Sequence, residues 1–179
     1  MADILRLASS LAEQRDMFGF FEDFLWYISP HMWTSLAADT NATTAIDADG
    51  VGGILVINTG DATDNNEAGV KTTNELFLAA PGKPIYAETR IQYTEANTNA
   101  SNVAFAVADI AGGANTLLDD GAGPAASFYG AMIYKVDGGT VWRCASSAGT
   151  LSSTGTTTVS TTTAGGTSYQ TLTIRFEPI

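Results

Sequence analysis

The chain has 179 residues, 45% of them hydrophobic, enough for a domain with a real core. Only 15% are charged, and the net charge is −11. Eight Lys and Arg, at positions 6, 15, 71, 83, 90, 135, 143 and 175, are too scattered to displace counterions from nucleic acid, and the acidic balance disfavours anionic membranes. One cysteine, Cys144, permits no intrachain disulfide, which fits folding in a reducing cytoplasm. The start, Met1 to Arg6, lacks the basic region and long apolar core of a secretion signal. No window approaches the roughly eighteen continuous apolar residues of a membrane-spanning helix. Abundant Gly, Ser and Thr fit an all-β domain with many turns.

Residues 3–17 have helical spacing: Ile4, Leu7, Ala8 and Leu11 fall on one stripe, and Asp3 is an N-cap candidate. So short a helix is marginal alone and must dock, on its own sandwich or on another subunit. Residues 18–36 are the most aromatic part, with Phe18, Phe20, Phe21, Phe24, Trp26, Tyr27 and Trp33. Two readings compete there: a core strand with a covering segment, or anchors for a partner surface. His31 stands alone, which favours a structural role. Residues 37–49 are polar and turn-rich.

The stretch 50–95 reads as strand, polar loop, strand, turn, strand. Ile54 to Ile57 is the first run; the second ends at Leu76-Phe77-Leu78; Pro81-Gly82 and Pro84 turn the chain. The third run alternates strictly, with Ile85, Ala87, Thr89, Ile91 and Tyr93 on one face and Tyr86, Glu88, Arg90 and Gln92 on the other. Residues 96–101 form a turn. Val103 to Ile110 is apolar on both faces, so the strand should be covered on both sides. A long loop, 111–125, offers Leu117 and Leu118 as plugs. Phe128 to Val136 and Thr140 to Ser146 flank Asp137-Gly138-Gly139, the clearest hairpin. Residues 146–168 hold fifteen Ser and Thr in twenty-three; without the Pro of a mucin-like stalk they read as an irregular strand and loops. Residues 168–176 alternate again, with Leu172, Ile174 and Phe176 on one face. The chain therefore divides into an N-terminal helical and aromatic arm, 1–35, and a β-sandwich domain, 36–179.

Little in this pattern suggests catalysis. Asp61, Asp64, Asn65, Asn66 and Glu67 form an oxygen-rich loop, but its spacing is not that of an EF-hand, and a solvated turn is the better reading. Glu88 and Glu95 lie seven residues apart, so on one strand they face opposite sides and cannot act as a glycosidase pair. G-x-S-x-G, H-E-x-x-H, a P-loop and paired cysteines are absent. No catalytic residue, cofactor or metal is assigned.

Three blocks carry a family resemblance. Gly52–Gly60 with Asp64–Glu67 has the form GG-apolar-TG…DNNE; Gly82–Ile91 has the form GKP-apolar-E-x-R-I; Leu117–Arg143 reads LLDDGAGPAASFYGAMIYKVDGGTVWR. In these blocks residues 20–176 resemble a family of tailed-phage structural proteins with a concanavalin-A-like, jelly-roll type sandwich. The resemblance implies an all-β, antiparallel jelly-roll or concanavalin-like β-sandwich behind a short N-terminal helical arm. It also implies a virion structural role, similar to capsid cement or decoration proteins, in a protein made in the host cytoplasm and placed on the capsid surface. Family members usually continue with further strands past the one matching Thr171–Phe176. Here the chain stops at Pro178-Ile179, so either this is a short form or neighbours complete the sandwich.

The expected partners are the major capsid protein and further copies of the chain, as a trimer, with Leu7, Leu11, Trp26 and Trp33 at the interface. The alternative is a carbohydrate-binding, lectin-like or receptor-binding module of a virion, with a glycan as ligand.

Overall fold

A computed structural model describes residues 19–36, 41–60, 66–78, 80–95, 101–109, 118–119, 123–124, 128–148 and 168–177. Among them there are eleven strands and no helix. They are β1 (Trp33–Ser35), β2 (Thr43–Ile46), β3 (Leu55–Asn58), β4 (Val70–Thr72), β5 (Ile85–Ile91), β6 (Val103–Asp109), β7 (Leu118–Asp119), β8 (Gly123–Pro124), β9 (Tyr129–Lys135), β10 (Arg143–Ala148) and β11 (Gln170–Phe176). The fold is all-β with antiparallel sheets: a three-stranded sheet in the order β10-β9-β6, and the pairs β11-β5, β1-β4, β2-β3 and β7-β8. The helix expected over 3–17, the loop core at 61–65 and most of the Ser/Thr-rich stretch lie outside the described residues.

The chain forms two compact units. One comprises Met1–Tyr27 and Ala45–Val56, the other Ile28–Thr44 and Ile57–Ile179. The second holds the core. Its β5 and β11 pair with Leu172 opposite Thr89 and Ile174 opposite Ala87, so the apolar halves of two alternating strands fall on one face. That face packs across β9 and β6, where Leu172 and Trp142 are buried against Ile91, Val103, Phe105 and Ile133. The opposite face of the three-stranded sheet is buried too. Met132, Tyr134 and Ala145 cluster there with Phe128 and Val136, against Ala104, Ala106 and Ala108. Strand β9 is central and apolar on both sides, which is why its burial is the deepest among the described strands. The Asp137-Gly138-Gly139 turn forms as its sequence requires: Gly138 takes φ +70°, and the Gly139 N–H donates to the Val136 carbonyl at 3.0 Å.

One expected strand shifts, and another is covered less than expected. The second run of the 50–95 stretch is β4 at Val70–Thr72, and residues 75–78 are irregular with Phe77 and Leu78 exposed. Pairing decides this. Val70 and Thr72 are β-branched and find partners on β1, and the ladder extends through Thr73 N–H to the Met32 carbonyl and Leu36 N–H to the Gly69 carbonyl, both 2.8 Å. Residues 76–78 instead run into the Pro81-Gly82 turn, closed by Lys83 N–H on the Ala80 carbonyl. Strand β6 is apolar as expected, but it is an edge of its sheet and only half-buried on both faces.

At one end of the two packed sheets sits a buried cation. Lys135, the last residue of β9, is 0% exposed. Its Nζ donates to Glu95 Oε1 at 2.6 Å and to the Ser101 carbonyl at 2.7 Å. Glu95 Oε1 also accepts the Ser101 N–H at 3.0 Å, closing a ring of three residues. The Tyr93 ring lies 6.0 Å from the Lys135 Nζ and meets Trp142 edge-on, and Trp142 Nε1 donates to Gln170 Oε1 at 2.6 Å. Burial first, and then the charge of Glu95, push the Tyr93 hydroxyl up to about 12.

Two outcomes follow from this cluster. Glu95→Ala strands a buried ammonium and is expected to cost about 3–5 kcal/mol in urea unfolding. Lys135→Met should cost clearly less, because Glu95 is 15% exposed, can be hydrated, and keeps its Ser101 N–H. Equal costs would contradict the desolvation account. Tyr93 carries a buried hydroxyl without a hydrogen-bond partner. Its folded pKa exceeds its unfolded value near 10, so its contribution is fully present below pH ~10 and is lost as pH rises toward ~12. Tyr93→Phe should leave stability at neutral pH intact or slightly raised and flatten the fall in melting temperature across that alkaline window.

Candidate functional site

The aromatic stretch is where the described surface departs most from an ordinary one. None of its described residues joins either core cluster. Phe21 is 86% exposed and Trp26 72%, and Leu25, Ile28 and Met32 are also exposed. Phe20, Phe24, Tyr27 and Trp33 are half-buried. The stretch does contain a strand, β1 at Trp33–Ser35, but it is half-buried and outside both core clusters.

In the first unit a tight turn shapes the exposed residues. Phe24 adopts φ +52°, a left-handed conformation that costs a bulky residue. Two side chains hold it: Glu22 Oε1 accepts the Phe24 N–H at 2.9 Å, and Asp23 Oδ1 accepts the Leu25 N–H at 3.3 Å. The turn lies against residues 47–54, the connection between β2 and β3. A Cβ at Gly53 would stand 1.9 Å from the Asp23 carbonyl oxygen, and Gly53 itself has φ +76°, so only glycine permits this approach. The connection is closed by Asp47 N–H on the Ile54 carbonyl and by Asp47 Oδ1 accepting the Asp49 N–H. At its tip Val51 is 97% exposed.

Of the four expected interface residues, Leu7 and Leu11 lie outside the described residues. Trp26 is on the exposed turn, whereas Trp33 belongs to the other unit and faces Thr72 across the β1–β4 pair. Hydroxyl contacts fix that pair, with Thr34 and Thr73 Oγ1 atoms 3.1 Å apart and Thr73 Oγ1 donating to the Pro30 carbonyl. His31 is exposed and its N–H closes a turn on the Ile28 carbonyl.

A second, polar surface is the outer face of β5 and β11, which sequence alternation assigned outward without joining its residues. Glu88 Oε2 accepts from the Tyr86 hydroxyl at 2.6 Å and from Thr173 Oγ1 at 3.2 Å. The first of these bonds, foremost among several influences, raises the Tyr86 pKa. The Arg90 guanidinium lies 4.3 Å from the Tyr169 ring centroid. Glu88 and Glu95 do take opposite faces, one outward and the other in the Lys135 cluster. Burial pushes the Cys144 thiol up, away from the reactive thiolate. Among the described residues no three His, Cys, Asp or Glu side chains gather as a metal site. At the described end of the acidic loop, Asn66 Nδ2 donates to the Thr59 carbonyl at 3.3 Å.

Trp26→Ala is expected to change unfolding free energy by no more than about 0.5 kcal/mol, since an exposed side chain contributes little to folding. Trp142→Ala, in the core, should cost about 3–5 kcal/mol. Chemical denaturation of both variants separates a surface held for a partner from one held for the fold.

No protein-family model, curated protein or solved structure matches this chain.

Proposed function

We propose that the protein is a structural component of a phage virion, a cement or decoration protein that binds the major capsid protein and reinforces the head shell. Its strands would belong to a jelly-roll or concanavalin-like sandwich, assembled on the capsid surface as a trimer. The role is binding, with no catalytic residue, metal or cofactor. The observation that carries the reading is the set of exposed apolar side chains at Phe21, Leu25 and Trp26 in the first unit. Large apolar side chains packed this densely along exposed chain suit a partner surface. The sequence resemblance to tailed-phage structural proteins gives that partner its class, and lattice repetition would turn modest contacts into firm attachment.

A second reading rests on the outer face of β5 and β11. Tyr86, Glu88, Thr173, Arg90 and Tyr169 place aromatic rings beside hydrogen-bonding groups, a combination that suits a glycan. Glycan binding lost in Tyr86→Ala would favour this reading.

The test is co-sedimentation with phage heads lacking the protein, with copy number read by mass spectrometry against the major capsid protein. Stoichiometric occupancy is expected, and Trp26→Ala should reduce it. Deletion of residues 1–17, which carry Leu7 and Leu11, should leave a soluble β-rich protein by circular dichroism while weakening particle binding or trimer formation. A monomer that ignores heads sinks the proposal.

A further inference from the structure

We infer that the exposed apolar turn and hairpin tip of the first unit dock on a different protein whose apolar groove is rimmed by Lys and Arg. This rests on the binding role proposed above and names the chemistry of the partner. The exposed members are Phe21, Leu25 and Trp26 on the turn and Val51 in the 47–54 connection, whose Gly53 lies against Asp23. Their ionisable neighbours along the chain are Glu22 and Asp23 on the turn and Asp47 and Asp49 beside the tip. Among the described residues of this unit there is no Lys or Arg. The sequence goes further: between Arg15 and Lys71 there is no cationic Lys or Arg at all, while nine of the nineteen Asp and Glu lie there.

An apolar patch whose described border carries acids and no Lys or Arg selects its occupant by charge. A second copy in a two-fold contact would bring the same carboxylates face to face, and like charges across an interface oppose association. An anionic lipid surface is repelled for the same reason. A groove with a basic border satisfies both parts at once: apolar contact for Trp26 and Leu25, and complementary charge at the rim. The turn is suited to presenting them, because Glu22 and Asp23 fix the backbone through their hydrogen bonds to Phe24 and Leu25 N–H.

The test uses the full chain and two synthetic amphipathic helical peptides with the same leucine face, one bordered by lysine and one by glutamate. Binding is read by calorimetry and by the shift in tryptophan emission. The lysine peptide should bind, weaken several-fold between about 50 and 300 mM salt, and lose about tenfold or more in affinity with Trp26→Ala. A combined variant, Glu22→Gln, Asp23→Asn, Asp47→Asn and Asp49→Asn, keeps the acceptor oxygens of the turns and should weaken binding comparably. A matched variant neutralising Glu75, Asp109, Asp137 and Glu177, all exposed and in the other unit, should bind as the parent does. Equal weakening by both sets would mean attraction to net charge alone and would overturn the inference. So would equal binding of the glutamate peptide, absence of binding by either, or self-association abolished by Trp26→Ala. A protein that occupies phage heads yet fails here keeps its structural role and loses only this assignment of the partner's charge.

Discussion

The Lys135–Glu95 ion pair is the constraint on which the two packed sheets depend. Glu95 follows β5, Ser101 precedes β6, Lys135 ends β9, Trp142 precedes β10 and Gln170 begins β11. Through Tyr93 and Trp142, one end of every strand in both sheets meets in a single contact chain. Asn102 Oδ1 extends it by accepting the Asp137 N–H at 2.7 Å, which ties the β6 entry to the β9–β10 turn. Apolar burial drives the sheets together and favours the register that keeps each face matched. The buried ammonium adds to that choice: with its acceptors displaced it would pay the desolvation cost without return. A slip of β9 by one residue would also turn Lys135 out of this pocket and move Met132 and Tyr134 to the wrong face.

The parts that local sequence pattern could reveal are those governed by local rules. Strict alternation marked β5 and β11, because each has one wet and one dry face. Asp137-Gly138-Gly139 marked the hairpin, because the turn needs a residue that tolerates positive φ. The ion pair was not legible. A lone lysine at the end of an apolar run normally reads as a solvated strand end, and its partner lies forty residues away. Strand β4 was missed for the same kind of reason: a three-residue strand is defined by its partner β1, across a separation that periodicity does not register.

The exposed aromatic stretch was half legible. Aromatic density drew attention to residues 18–36, yet spacing could not say which rings face water. Trp26 and Trp33 look alike in the sequence. They differ because Trp33 enters the ladder with β4, whereas Trp26 follows a turn whose N–H groups are satisfied by Glu22 and Asp23, leaving no strand for it to join. Local side-chain acceptors compete with sheet pairing, and here they keep the chain out of it.

Charge is also uneven along the chain. Four cations of the second unit have side-chain partners: Lys135 in Glu95, Arg175 in Glu177, Arg90 over Tyr169, and Arg143 hydrogen-bonded to Tyr134. The acidic excess is therefore not spread evenly over the molecule. It is concentrated in the cation-free stretch before Lys71, which also contains eight of the thirteen exposed large hydrophobic side chains among the described residues. Exposed apolar area alone would favour non-specific association. Like charge along the same stretch opposes self-contact while leaving a complementary surface free to bind. The buried cation, Lys135, belongs to the packed sheets, whereas the stretch rich in exposed apolar side chains carries acids and no Lys or Arg, so the two kinds of surface obey different electrostatic constraints.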